Sequence, residues 1–345
     1  MHSAFARRRA LLLMSFALGT LIQPAAAQNA EPFFKGKTIH MIVGSAPGGG
    51  YDAYGRLVSE HLRQHIPGNP TVVVQNMPGA GSLIATNYIA NVAPKDGTYV
   101  GAVNGLIATD LLLYPDRTKF DPRKLQWIGS ALKENHVGVV RSDAKVQTFA
   151  EVFKQELLVS GTGGSTNAYP TLTNAVLGTK FKVISGYNGT AAGLLAVERG
   201  EVDGNVGITY ASVKATQTAR LAEGKLKVFI QFGLKKHKEL PDVPWIFDYA
   251  KNPADKAALN LVLSNQEFGR PFIAPQGTPN DVVAILRKAF DETMVDPEFL
   301  ANAEKRKLEI DPTPGDEIQA LIDVIYKTPT DVVERVKPIL EASGQ

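Results

Sequence analysis

A chain of 345 residues without a single cysteine excludes disulfides, thiolate metal sites and cysteine nucleophiles, so its stability has to come from packing; its 44% apolar content suffices for two cores of ordinary size. Its 37 Lys and Arg against 34 Asp and Glu give a formal charge of +3, yet three of the basic residues, Arg7, Arg8 and Arg9, stand together near the N-terminus. Without them the balance is 34 against 34, and no basic stripe remains to mark a nucleic-acid binder or an anionic-membrane binder.

Those arginines precede an apolar run from Ala10 to Ile22, then Pro24 and the small residues Ala25 to Ala27. This order reads as a secretory signal peptide over residues 1–27, cleaved before Gln28. The apolar run is shorter than the ~20 residues that span a bilayer, which argues against the alternative of an uncleaved anchor. The clustered arginines leave Sec and Tat export open, and the mature chain is expected in the periplasm.

From Lys37 onward, short apolar runs alternate with amphipathic ones. Thr38 to Val43 reads as a strand, Gly44 to Tyr51 as a loop, and Asp52 to His65 as a helix that, with Ile66, aligns Tyr54, Leu57, Val58 and Leu62 on one face. The β-branched run Thr71 to Gln75 predicts a second strand, Pro78 to Gly81 a turn, Ser82 to Val92 a helix and Tyr99 to Val103 a third strand. After an irregular stretch at Pro115 to Pro122, strands are expected at Trp127 to Ala131 and Gly138 to Val140. A second alternating set follows: strand Leu157 to Ser160, loop Gly161 to Asn167, strand Lys182 to Ser185, loop Gly186 to Thr190, helix Ala191 to Arg199 and strand Val202 to Ile208. Another helix and strand end at Phe232. Beyond a helical stretch at Pro253 to Asn265, Arg270 to Pro275 reads as a short strand and Pro279 to Ser343 as helices broken at Pro297, Pro312 to Gly315 and Pro329.

Such alternation predicts two α/β lobes, each a mainly parallel sheet flanked by helices, with ligands outside the carboxyl ends of the strands. Residues 28–130 with 268–345 are assigned to lobe one and 131–267 to lobe two, the strands near Trp127 and Phe272 being the crossings.

Three glycine-rich loops stand where a strand meets a helix, the position at which backbone N–H groups and the positive end of a helix meet an anion. The first contains Pro47, Gly48, Gly49, Gly50, Tyr51 and Asp52; the second, Pro78 to Ser82, offers Ala80 and Ser82; the third, from the other lobe, offers Thr162, Gly163, Gly164, Ser165 and Thr166. Asn104, after the third strand, joins the lobe-one set, and Asp203, Tyr51 and Tyr187 are candidates to touch the ligand by hydrogen bond or ring. Any one of these loops alone reads equally well as a tight turn; equivalent loops in both halves favour a cleft for a carboxylate.

Competing chemistries find little support. Gly79-Ala80-Gly81 has Ile84 where a dinucleotide fingerprint needs its third glycine, and no phosphate-binding P-loop is present. His61 and His65 are four apart on a helix but lack the intervening glutamate of a zinc protease, and read as surface histidines. Neither Ser82 nor Ser165 has an assignable histidine, so no catalytic site, metal site or cofactor is expected. A periplasmic enzyme using Asp203 as base is the minor alternative.

The quoted loops, with Arg56, the run Val74 to Ser82, Pro94 to Thr98, Arg199 to Asp203 and Gly269 to Pro275, resemble the substrate-binding proteins of tripartite tricarboxylate transporters, also called Bug receptors, over nearly the whole mature chain. The resemblance implies a two-lobed periplasmic binding protein of Venus-flytrap type, a monomer that captures a small organic acid and works with a small and a large membrane subunit. A sensory adaptor that presents the solute to a receptor kinase is the alternative partnership. Carried over residue by residue, Gly49, Gly50 and Asp52 map to the first loop, Ala80 and Ser82 to the second, Gly163, Gly164 and Ser165 to that of lobe two, and Asp203 to its late acidic position. Ile184 to Gly189 departs from the family's pattern and lacks its basic residue, so the far end of the ligand is expected to differ.

Overall fold

The two alternating sets build two separate sheets in a computed structural model that describes residues 33–343 apart from 49 and 188. The expected leader, residues 1–27, lies outside the described residues, as does Gly49. In chain order the elements are β1 (Thr38–Val43), α1 (Gly50–His65), β2 (Thr71–Asn76), α2 (Leu83–Asn91), β3 (Tyr99–Ala102), α3 (Asp110–Leu113), β4 (Gln126–Ser130) and β5 (His136–Arg141). They continue with β6 (Leu157–Gly161), α4 (Ser165–Leu177), β7 (Phe181–Ser185), α5 (Gly189–Arg199), β8 (Gly204–Thr209), α6 (Tyr210–Ala222), β9 (Leu226–Gln231) and α7 (Pro253–Leu263). The chain ends with β10 (Pro271–Ala274), α8 (Asn280–Val295), α9 (Pro297–Lys305), β11 (Thr313–Pro314), α10 (Gly315–Ile325) and α11 (Thr330–Ala342).

The first sheet has the order β11-β4-β10-β3-β1-β2 and the second β7-β6-β8-β5-β9. Residue choice follows position. β1 lies between β2 and β3, and the apolar residues along it are buried, whereas β2 is an edge strand whose side chains alternate between exposed and half-buried. Helix α1 lays Leu57, Val58 and Leu62 on this sheet, and α8 and α9 add Phe290 and Phe299 to the same core.

Both sheets are mixed rather than mainly parallel. β1 pairs parallel with β2 and β3, but β10 runs antiparallel to β3 and β4; in the second sheet β6 pairs parallel with β7 and β8, while β5 is antiparallel to β8 and β9. The reason is the crossing. Strands that carry the chain between lobes enter each sheet against the direction of the βα units.

β4 leaves the first sheet through residues 131–135 into β5, and the return runs through a short 3-10 turn, Ser264–Phe268, into β10. The two crossings are stitched together: Ala131 donates its N–H to the Arg270 carbonyl (3.0 Å), Gly269 to Leu132 (2.9 Å) and Glu134 to Gln266 (2.7 Å). This ladder joins the two crossings into the hinge turn, named for its place between the lobes.

Two expectations are corrected. The terminal helix does not stay with lobe one as the assignment of 268–345 implied, because Val332, Val336 and Leu340 of α11 pack with the apolar side chains of α4 and α7. His61 is buried, not on the surface; its ring meets Phe299 edge-on at 5.6 Å and its Nε2 lies 3.1 Å from Asn302. Among the described residues no helix is long and apolar enough to cross a membrane.

Candidate functional site

Between the lobes lie two cavities of about 660 and 460 Å³ that share Glu134, His136, Gly164 and Ser165 as a common wall. Each lobe brings a set of backbone donors to the smaller one.

On the lobe-two side the donors belong to the start of α4. The loop before it is folded back by its own side chains: Thr166 Oγ1 accepts from Thr162 N (2.9 Å) and donates to Gly163 O (2.8 Å), and Asn167 Oδ1 accepts from Gly163 N (3.2 Å). Ser165 Oγ donates to Gly207 O (2.7 Å), tying the helix start to β8. Gly207 itself, at φ +87°, has no room for a Cβ against the Ser165 carbonyl. The first-turn amides of Ser165 and Thr166 have no carbonyl one turn back, and the helix dipole makes this end positive.

On the lobe-one side Gly79, Ala80, Gly81 and Ser82 all have positive φ, of 138°, 45°, 61° and 76°. Two of them are not glycine, so the turn stores strain of roughly 1–3 kcal/mol per such residue, and its Ala80 and Gly81 line the smaller cavity. The neighbours hold it in place. Ser82 Oγ donates to Gly44 O (3.0 Å) and accepts from Asn104 N (3.0 Å), joining the loops that follow β1 and β3.

The floor is made by the hinge. Arg270 donates through Nη1 to Glu134 Oε1 (2.6 Å), and its guanidinium lies 4.5 Å from the Tyr51 ring and 5.3 Å from that of Tyr54. Burial pushes the Tyr51 phenol up to about 12, although the Arg270 charge pulls the other way. His136 Nε2 stands 4.0 Å from Glu134 Oε2, and burial lowers the His136 pKa although the Glu134 charge pulls the other way. His136 Nδ1 and Arg270 Nε are buried without a partner among the described residues. The smaller cavity ends on apolar side chains from Leu113, Leu261, Val262 and Leu340, beside Asp110 and Arg117.

Of the residues singled out in the sequence, Tyr51, Ala80, Asn104, Gly164 and Ser165 meet in the wall of the smaller cavity, and Thr162 to Thr166 line the larger. Others sit differently. Pro47, Gly48 and Gly50 are exposed, and Asp52 turns inward as a brace: it accepts from Gly48 N (2.8 Å), Arg56 Nε (3.0 Å) and Asn76 Nδ2 (2.8 Å), which holds its carboxyl down at about 2 despite burial. Ser82 has its hydroxyl committed to the two loops rather than turned to a ligand. Tyr187 reaches Glu201 at 3.5 Å and packs in the lobe-two core. Asp203 precedes β8 at the end of the strand away from Gly207 to Thr209, where Arg141 (3.3 Å) and the Leu158 amide (3.2 Å) hold it. It is therefore a staple of the sheet, not a base in the cleft.

Sequence reasoning missed Glu134, His136, Gln266 and Asp110, and quoted Arg270 only as part of a motif. They come from the two connections between the lobes, the first residue of β5 and a four-residue helix, far apart in the chain and with no shared spacing to signal them. Among the described residues no group of three or more His, Asp or Glu is placed to hold a metal.

Two α/β lobes that both line one cleft have the architecture of a solute-binding protein. Residues 55–344 match the family described as "Tripartite tricarboxylate transporter family receptor", and the chain belongs to it. Among solved structures it is similar to a ligand-free TctC solute binding protein from Polaromonas (20% identical, TM-score 0.69, covering 89% of this chain and 98% of that one). It is also similar to MatC from Rhodopseudomonas palustris with bound malate (20% identical, TM-score 0.52, covering 88% of this chain and 99% of that one). A relative from Cupriavidus necator, a UPF0065 protein in the gbd 5' region, is 25% identical over 88% of each chain.

Proposed function

We propose that this receptor captures a small organic acid in the interlobe cleft in the periplasm, closes over it, and delivers it to the small and large membrane subunits of a tripartite transporter. The observation that carries this reading is that the strained turn at Ala80 and Gly81 on one side and the start of α4 on the other line one cavity, each offering backbone N–H groups to a bound anion in this reading. A carboxylate bound by only one set leaves the other without a partner, so the ligand favours the closed state by the contacts that closure adds. The malate in the similar MatC structure supports a carboxylate as the ligand class. Isothermal titration of the mature protein against malate, other dicarboxylates, aromatic acids and amino acids tests it, with small-angle scattering to follow closure. Binding of one class with a fall in radius of gyration is expected. A flat response to every carboxylate overturns the reading.

A further inference from the structure

The smaller cavity contains polar groups that the amide donors do not serve. Asp110 on α3 is only 7% exposed, and its nearest cation, the Arg117 guanidinium, lies 3.7 Å away, beyond hydrogen-bond length. Arg117 is half in solvent, 51% exposed, and lies over the Tyr114 ring at 3.8 Å. Asn265 Oδ1 and the Tyr114 hydroxyl are buried without partners, and both residues line the same cavity. A buried polar atom with no partner costs free energy, and native proteins keep few of them away from sites.

The character of these groups selects the ligand. Asn265 Oδ1 and an ionised Asp110 are acceptors and the Tyr114 hydroxyl can accept as well as donate, so a donor on the ligand can serve all three. Both arginines near the smaller cavity face a carboxylate, Arg117 at 3.7 Å from Asp110 and Arg270 bonded to Glu134, and the lysines of the cleft, Lys235, Lys238 and Lys307 among them, line the larger cavity instead. Burial pushes the Asp110 carboxyl up to about 6 against the pull of Arg117, so its negative charge is costly at neutral pH and an incoming cation offsets that cost. The walls between, Leu113, Leu261, Val262 and Leu340, suit an apolar body.

Resting on the reading that the amide donors hold a carboxylate, we infer that the ligand is an amino-acid-like zwitterion with an apolar body, whose ammonium group is received by Asp110 and Asn265. The specificity of the cleft is thereby set by α3 and the hinge turn, and diacids are disfavoured.

The test is isothermal titration of the mature protein at pH 7.5 with matched pairs: leucine and 4-methylpentanoate, phenylalanine and 3-phenylpropionate, and 4-(aminomethyl)benzoate and 4-methylbenzoate, with malate alongside. In the pair that fits, the aminated member is expected to bind at least about tenfold more tightly. Asp110→Asn is expected to bring that ratio close to one. If in every pair the plain acid, or malate, binds as tightly as the aminated compound, the inference falls while the carboxylate reading stands. If the ratio survives Asp110→Asn, the ammonium lies elsewhere and the inference also falls. If no acid of the panel binds, the carboxylate reading fails with it.

Discussion

Replacing Asp110 by asparagine should make the unliganded protein more stable at neutral pH. In the folded chain the carboxyl rises from its ordinary 3.8 to about 6 because burial outweighs Arg117. A raised carboxyl pKa means that the folded state holds its proton more tightly than the unfolded state does. Stability from this group is therefore full below about pH 4 and is lost as pH rises through about 6. A shift of about 2 units corresponds to roughly 3 kcal/mol at most, at about 1.36 kcal/mol per unit. The amide of the Asp110→Asn variant has no charge to desolvate, so the variant should match the wild type near pH 4 and exceed it by about 1–3 kcal/mol above pH 7. Urea unfolding followed by far-ultraviolet circular dichroism, repeated from pH 4 to 8, measures the difference. A constant offset across that range, or a less stable variant at pH 8, would refute the account of Asp110 as a desolvated, underpaired charge. A gain in stability on removing a binding group is the expected sign of a site kept at a cost to the fold.

Three further outcomes follow from the same geometry. Ser82→Ala removes the bridge between Gly44 O and Asn104 N at a residue with φ +76°, and should destabilise the protein by about 1–3 kcal/mol in urea unfolding and weaken ligand binding through the displaced loop. Glu134→Leu leaves the Arg270 guanidinium at the hinge without its carboxylate, at a cost of about 3–5 kcal/mol in the same assay; small-angle scattering should show a broader spread of interlobe angles, and an unchanged unfolding midpoint would remove this pair from the hinge. Lowering pH from 7.5 to 5 protonates Asp110 and should weaken the aminated ligand in titration calorimetry but not its plain-acid partner. Burial raises the Tyr114 and Tyr326 phenols further above this interval and lowers the His136 pKa, so a parallel fall for both ligands would point to a group other than Asp110.

The sequence by itself determined the alternating strands and helices, their order, and the glycine-rich turns of both lobes, because 2.0 and 3.6 residue periodicities and positive-φ glycines are local properties of the chain. The positions of β1, β2 and β7 could be read in this way almost to the residue, whereas the helix that begins at Ser165 was read as loop as far as Asn167. The direction of the crossing strands was a different matter: β5 and β10 carry ordinary strand patterns, and only the passage between lobes makes them antiparallel to their neighbours. The same holds for polar side chains. Asp52, Ser82 and Asp203 stand in or beside promising loops, yet each spends its oxygens on nearby backbone or on Arg56, Asn76 and Arg141, since a buried polar atom takes whichever partner the fold brings within about 3 Å. Asp110, Glu134, His136 and Arg270 show the converse: nothing in their local spacing marks them, and they become a site only where the hinge and a short helix bring them to one cleft.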